Sequence, residues 1–236
     1  MNINKNVKSA IFIKRPNRFQ AYVELDGQEL MVHVPNTGRC KEILTPGTEV
    51  LLREENNPSR KTKYDLIAGY KGDLLINIDS QVPNKVVEEA LSLGKVSALA
   101  KYNIIHREKF YKSSRFDFKL SQEPYLHSDY PQEYYLEVKG VTFELEGVTM
   151  FPDAPTERGA RHLRELVEVK KEGLGAGVLF LIQLQGVHSF SPYKEMDPSF
   201  AEALSYAKEN GVDIFAYDSI VQRDSITLNK AVPVLL

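Results

Sequence analysis

Glu137 and Lys139 stand two residues apart in Tyr135-Leu136-Glu137-Val138-Lys139, a run whose aromatic and aliphatic residues suit a strand. Side chains two apart on a strand share a face, so a carboxylate and an ammonium are presented together. Twenty residues earlier, Asp117 lies in a second strand-like run, Ser114-Arg115-Phe116-Asp117-Phe118. If the two strands are neighbours, Asp117 and Glu137 converge, and two carboxylates hold a hard divalent cation such as Mg²⁺ or Mn²⁺. Lys139 would then orient a water or stabilise charge on a phosphate. On an exposed strand the same triplet is only an ion pair, so the chemistry depends on which strands meet.

Two further stretches have the composition of a polyanion-binding surface. Lys14-Arg15-Pro16-Asn17-Arg18-Phe19 holds three cations and an aromatic ring, which suits a groove that tracks a phosphate backbone and stacks a base. His33-Val34-Pro35-Asn36-Thr37-Gly38-Arg39 offers the polar groups of Asn36 and Thr37, close backbone approach at Gly38 and the planar fork of Arg39. A polar turn explains Asn36 to Gly38 equally well. Arg15, Arg18, Asn36, Thr37 and Arg39 are therefore the candidate nucleic-acid contacts of the first part of the chain.

The elements that must position these residues fall into two groups. Up to about residue 80 the pattern is of short strands. Phe19, Ala21, Val23 and Leu25 alternate with polar residues, Asp26-Gly27 suits a tight hairpin, and Leu30, Val32 and Val34 resume the alternation. A short helical stretch is expected at about Arg39 to Leu44, with further strands at Glu49 to Arg53, Tyr64 to Tyr70 and Asp73 to Ile78. This outline predicts an OB-type barrel over residues 1–80, with an SH3-like barrel as the other small fold of similar pattern.

Beyond residue 81 the period changes. Val86, Val87, Ala90, Leu91 and Leu93 suit a helix that Gly94 ends, and strands follow at about Ile104 to Phe110, Phe116 to Leu120, Tyr134 to Val138 and Thr142 to Leu145. A helix from about Glu157 to Lys171, with Thr156 as its N-cap, leads to a buried strand at Val178 to Leu184. A last helix from about Pro198 to Asn210 precedes a strand at Asp213 to Tyr217. The order predicts an α/β domain with a mixed sheet over residues 81–236, and so an α+β or α/β two-domain chain. Pro152-Asp153 reads as a turn into the helix. Along that helix Ala160, Leu163, Leu166 and Val167 form the packed stripe, leaving Arg158, Arg161 and His162 for solvent, a phosphate or the acidic site.

Composition narrows the class. The chain has 42% hydrophobic and 26% charged residues, a globular balance. No run is long and apolar enough for a membrane span, and the polar start lacks a secretory signal, so a cytosolic location is expected. The single cysteine, Cys40, excludes an internal disulfide and a cysteine-based zinc site within the chain. The net charge of -2 conceals an asymmetry: residues 1–120 carry 20 Lys/Arg against 14 Asp/Glu, and residues 121–236 carry 10 against 18. A basic first half suits a polyanion, though a solvated surface with uneven charge is the more ordinary cause, and charge alone decides little.

An acidic residue on one strand followed by acid-any-lysine on the next resembles the PD-(D/E)xK nuclease superfamily. In that superfamily a preceding helix often adds a metal-side carboxylate, which makes Glu88 the third candidate ligand beside Asp117 and Glu137. The ordered blocks His33 to Arg39, Ser114 to Phe118, Glu137 to Lys139 and Phe151 to Leu166 resemble the sugar fermentation stimulation protein A (SfsA) family across nearly the whole chain. Lys119 departs from the aliphatic residues expected after the Asp-Phe pair. The resemblance implies an N-terminal OB-like domain, a C-terminal PD-(D/E)xK nuclease-like domain, and DNA binding with little sequence preference, RNA remaining open. The resemblance does not by itself make cleavage the activity; the residues themselves lead us to expect a divalent-metal site on Asp117 and Glu137 that would cleave phosphodiesters with the help of Lys139, with Arg158 and Arg161 as further phosphate contacts. The alternatives are a non-catalytic DNA-binding regulator of sugar (maltose) metabolism, and a sugar- or nucleotide-binding module.

Overall fold

The computed structural model describes residues 1–123 and 131–236. Its first half contains β1 (Val7–Asn17), β2 (Gln20–Leu25), β3 (Gln28–His33), β4 (Glu49–Glu54), β5 (Tyr64–Lys71) and β6 (Leu74–Asn77). Asp26 and Gly27 both have positive φ, 53° and 77°, as the hairpin between β2 and β3 requires. β1 pairs antiparallel with both β2 and β4, and β3 meets β5 in parallel at His33 and Asp65. The sheet order β3-β2-β1-β4-β5-β6, closed by β3–β5, is an OB-type barrel. The short helix expected at Arg39 to Leu44 is absent. Ile43 and Leu44 instead donate backbone N–H bonds to the Cys40 carbonyl in a turn. Cys40 lies in the left-handed region (φ 46°) and Pro46 follows, so no helical turn propagates from here.

Charge locks the barrel seam. His33 Nδ1 lies 2.9 Å from Asp65 Oδ1, and Arg53 donates to Glu55 (2.7 Å), Asp79 (2.8 Å) and Asp65 (2.9 Å). Arg60 also pairs with Asp65. Asp65 and Asp79 are buried, and Arg53 is their shared counter-charge, tying β4 and β5 to the connection that leaves the barrel. Arg53→Met should therefore leave the buried Asp79 carboxylate without its counter-charge, while Asp65 keeps Arg60 and His33, and lower the unfolding free energy by about 3–5 kcal/mol. Urea unfolding at neutral pH reads this directly, and an unchanged midpoint would mean that the network is dispensable.

The second half begins with α1 (Val82–Ser92), whose first turn contains Pro83. A proline costs nothing there because the first N–H groups have no helical partner, which is why the helix starts before the apolar pattern does. β7 (Ile104–Tyr111), β8 (Ser114–Ser121), β9 (Glu133–Val141), β10 (Phe143–Leu145) and β11 (Val148–Phe151) follow. After them come α2 (Glu157–Lys171), β12 (Gly175–Ile182), β13 (Ser189–Pro192), α3 (Pro198–Glu209), β14 (Asp213–Val221) and β15 (Ile226–Ala231). The large sheet runs β15-β14-β12-β9-β8-β7, with β9, β12 and β14 parallel and the outer pairs antiparallel. β12 is buried along its whole length, as a central parallel strand must be when both sheet faces are covered. β10, β11 and β13 form a small separate sheet; β10 is the strand expected at Thr142 to Leu145, whereas β11, β13 and β15 carry too little alternation to be read from sequence.

Thr156 caps α2 through its hydroxyl, which accepts the Gly159 N–H at 3.1 Å, and Lys170 and Lys171 oppose the dipole at the other end. Leu163, Leu166 and Val167 of α2 join Phe180, Ile182 and Phe200 in one core, which continues into the barrel. Val86, Val87 and Ala90 of α1 cover the opposite face with Leu136 and Val138. The halves are joined by Gln183 Nε2, which donates to both the carbonyl and the Oδ1 of Asn77 at 2.9 Å, and by Lys71, which binds Glu144 at 2.6 Å. No helix among the described residues is long and apolar enough to cross a membrane.

Candidate functional site

β8 and β9 pair from Ser121–Glu133 to Phe118–Leu136 and then part. Asp117 is the first residue beyond the pairing, and its carboxylate fills the gap. Oδ2 accepts the Val138 N–H at 2.7 Å, and Oδ1 accepts the Asn84 amide at 2.7 Å. The strand turns over here: Phe116 packs toward α2, and Phe118 packs toward α1. Burial raises the Asp117 pKa above the ordinary carboxylate value, and the nearby charge of Glu137 raises it further.

Glu137 is 5% exposed. Two donors converge on one of its oxygens: Lys139 Nζ lies 2.5 Å and His162 Nδ1 2.6 Å from Oε1. Burial opposes ionisation, but the His162 hydrogen bond and the Lys139 charge outweigh it and hold the Glu137 pKa below the usual value. Glu137 Oε2 is buried and has no hydrogen-bond partner. The two carboxylates thus differ in kind, one held ionised by the His162 hydrogen bond and the Lys139 charge, and the other pushed toward its proton by burial and by the charge of the first.

The remaining sequence candidates lie elsewhere. The Glu88 carboxylate lies 3.3 Å from Arg107 and forms no metal-holding group with Asp117 and Glu137; no group of three or more His, Cys, Asp and Glu side chains is gathered among the described residues. The residue of α1 that does reach the site is Asn84, one turn earlier on the same stripe. Arg161 is exposed beside Glu165 at 3.7 Å. His162, grouped from sequence with the residues left by the apolar stripe, is 3% exposed inside that stripe and touches Glu137. Arg158 Nε reaches its far nitrogen at 3.3 Å. Nothing in the local sequence singles out Asn84. The only trace of His162 is its place beside Leu163, one turn after Arg158.

On the barrel, Lys14, Arg15, Arg18, Arg39 and Lys41 surround a groove of about 420 Å³ in which, among the described residues, no acidic side chain takes part. Arg15 differs from the others. Its terminal nitrogens donate to the carbonyls of Arg18, Asn36, Gly38 and Arg39 at 2.6–2.9 Å, so it builds the loop. Asn36 is also committed, accepting the Gly38 N–H at 2.6 Å and donating to the Ile78 carbonyl at 2.7 Å. Arg18, Arg39, Lys14 and Lys41 face the groove, and Phe19, half exposed, lies with its ring 5.5 Å from the Arg18 guanidinium. Lys41 lies just past the motif read from sequence.

A second cleft of about 300 Å³ shares Thr37 and Gly38 with the groove and extends to Pro83, Gly140, Asp153 and Gln183. A Cβ at Gly38 would stand 2.2 Å from Asp153 Oδ2, so a larger residue here would have to displace the Asp153 carboxylate. Two of its lining residues, Pro83 and Gly140, are chain neighbours of Asn84 and Lys139.

An OB-type barrel joined to a mixed α/β sheet, with an aspartate on one strand and Glu-x-Lys on the next, defines a two-domain protein of PD-(D/E)xK nuclease-like fold. Residues 13–78 match the family model "SfsA N-terminal OB domain", and residues 81–225 match "Sugar fermentation stimulation protein RE domain". The sugar fermentation stimulation protein homolog of Clostridium tetani is 66% identical over 236 residues, covering 100% of both chains. That of Clostridium acetobutylicum is 62% identical over the same span. The structure of Pyrococcus furiosus SfsA in complex with Ca²⁺ aligns over 100% of both chains with a TM-score of 0.87 and 28% identity. The chain belongs to the sugar fermentation stimulation protein (SfsA) family.

Proposed function

We propose that this protein binds DNA along the barrel groove and hydrolyses phosphodiester bonds at Asp117 and Glu137 with one divalent cation, Mg²⁺ or Mn²⁺. The observation that carries the reading is the buried, unpartnered Oε2 of Glu137 beside a second carboxylate whose ionisation it opposes. A hard cation satisfies that oxygen and relieves the repulsion in one step. Two protein carboxylates suit Mg²⁺, which keeps several waters and takes further oxygens from a phosphate. The Ca²⁺ complex of the Pyrococcus furiosus relative supports an oxygen-ligand metal site in this fold.

When bound, such a cation polarises a phosphoryl oxygen and lowers the pKa of a coordinated water. The chain's own residues do the rest. Asn84 and the Val138 N–H hold Asp117 by both oxygens, and Lys139 supplies a positive charge at the face where a phosphate would gain negative charge. The groove cations offer screened but additive attraction to a phosphate backbone, and Phe19 offers a ring for stacking.

Labelled single- and double-stranded DNA and RNA, incubated with Mg²⁺, Mn²⁺ or EDTA, test both halves. Expected are binding in every condition and cleavage only with metal. Binding without cleavage of any substrate would replace the phosphodiesterase with a non-catalytic regulator, and absence of binding would remove the groove assignment.

A further inference from the structure

Glu137 Oε1 is held from two sides, while Oε2 has no partner. A glutamate carboxylate turns readily about its last torsion, so an asymmetric arrangement of this kind needs something rigid to maintain it. Lys139 is a poor candidate for that task. Its ammonium is a point charge on a flexible stem and would follow either oxygen. His162 is rigid: it is 3% exposed, and its ring lies edge-on to Phe116 with centroids 5.9 Å apart at 67°.

The ring's other nitrogen decides its proton. Arg158 Nε carries a hydrogen and no available lone pair, so at 3.3 Å from Nε2 it is the donor and Nε2 the acceptor. Nε2 therefore bears no proton in this arrangement, and the single ring hydrogen of the neutral imidazole is on Nδ1, aimed at Glu137 Oε1, 2.6 Å away. Both nitrogens are occupied, so His162 is not itself a metal ligand.

We propose that His162, with its tautomer set by Arg158, is a positioning residue that pins Glu137 Oε1 and so turns Oε2 toward the cation. This assignment rests on the metal reading above. It gives Arg158 a role distinct from contacting phosphate: it acts through the ring. Hydrogen-bonded partners of ligating carboxylates typically contribute 10–100-fold to metal affinity.

The test is Mn²⁺ binding by calorimetry on the full chain without nucleic acid. His162→Leu should bind Mn²⁺ about 10–100-fold more weakly. His162→Asn, whose amide nitrogen falls near the Nδ1 position, should recover most of the loss. Equal affinity in wild type and His162→Leu would overturn the proposal, as would an Asn variant no better than Leu. Wild-type protein that binds no Mn²⁺ would overturn the metal reading and this assignment with it. Should His162→Leu fail to fold, nitrogen NMR of the wild-type ring decides the matter independently: a proton on Nδ1 is expected, and a proton on Nε2 contradicts the proposal.

Discussion

Asp117→Asn is expected to abolish metal-dependent cleavage, weaken Mn²⁺ binding more than about 100-fold and, in EDTA, stabilise the fold. The stability effect follows from the direction of its pKa. Burial and Glu137 raise it in the folded state, so the stabilisation linked to its proton is complete below the unfolded value and is lost as pH rises through the folded value. At neutral pH the wild type has lost it, and the uncharged asparagine avoids the penalty. Thermal melts in EDTA should show the wild type losing stability relative to Asp117→Asn as pH rises above the ordinary aspartate value of ~4. Glu137→Gln should give the opposite stability effect with the same functional loss. Its pKa is lowered, so its contribution is present above the unfolded value and lost as pH falls through the folded one. Removing that charge at neutral pH leaves Lys139 without its charged partner and costs about 1–3 kcal/mol. Two variants that both lose metal but move stability in opposite directions would be hard to obtain from general unfolding. Equal and opposite outcomes to these would mean that the pair is only a structural ion cluster.

Replacing Lys14, Arg18, Arg39 and Lys41 together by glutamine should flatten the dependence of DNA affinity on salt. Each phosphate contact on a single strand contributes a slope of about 0.7 in log affinity against log salt, so four should remove about 3. Fluorescence anisotropy across a salt series measures this directly. Arg15 stays in place because its guanidinium holds four backbone carbonyls, and its removal would disturb the loop as well as the charge. An unchanged slope in the folded quadruple variant would move the binding surface off the barrel. The same variant should retain Mn²⁺ binding, because the groove residues and the carboxylates are separate sets of side chains.

The sequence by itself determined the elements whose causes are local. The bounds of α2, Glu157–Lys171, follow from Thr156 as cap and an apolar period of 3.6. The hairpin follows from Asp26-Gly27, and the common face of Glu137 and Lys139 follows from the two-residue repeat of a strand. Each of these depends on a few consecutive residues. The tertiary structure alone decided what those residues meet. Asp117 caps Val138 only because β8 leaves β9 at that point, and Asn84 rather than Glu88 reaches it because of how far α1 slides along the sheet. His162 is buried against Glu137 because α2 packs its stripe over β9, a contact across 25 residues that no period encodes. Likewise Arg15 and Arg18 are three residues apart with the same charge, yet one builds a loop and the other faces the groove. Hydrogen-bond partners of this kind are set by sheet register and helix docking, in which many distant contacts act together, whereas caps, turns and periods are settled within a turn or two of chain.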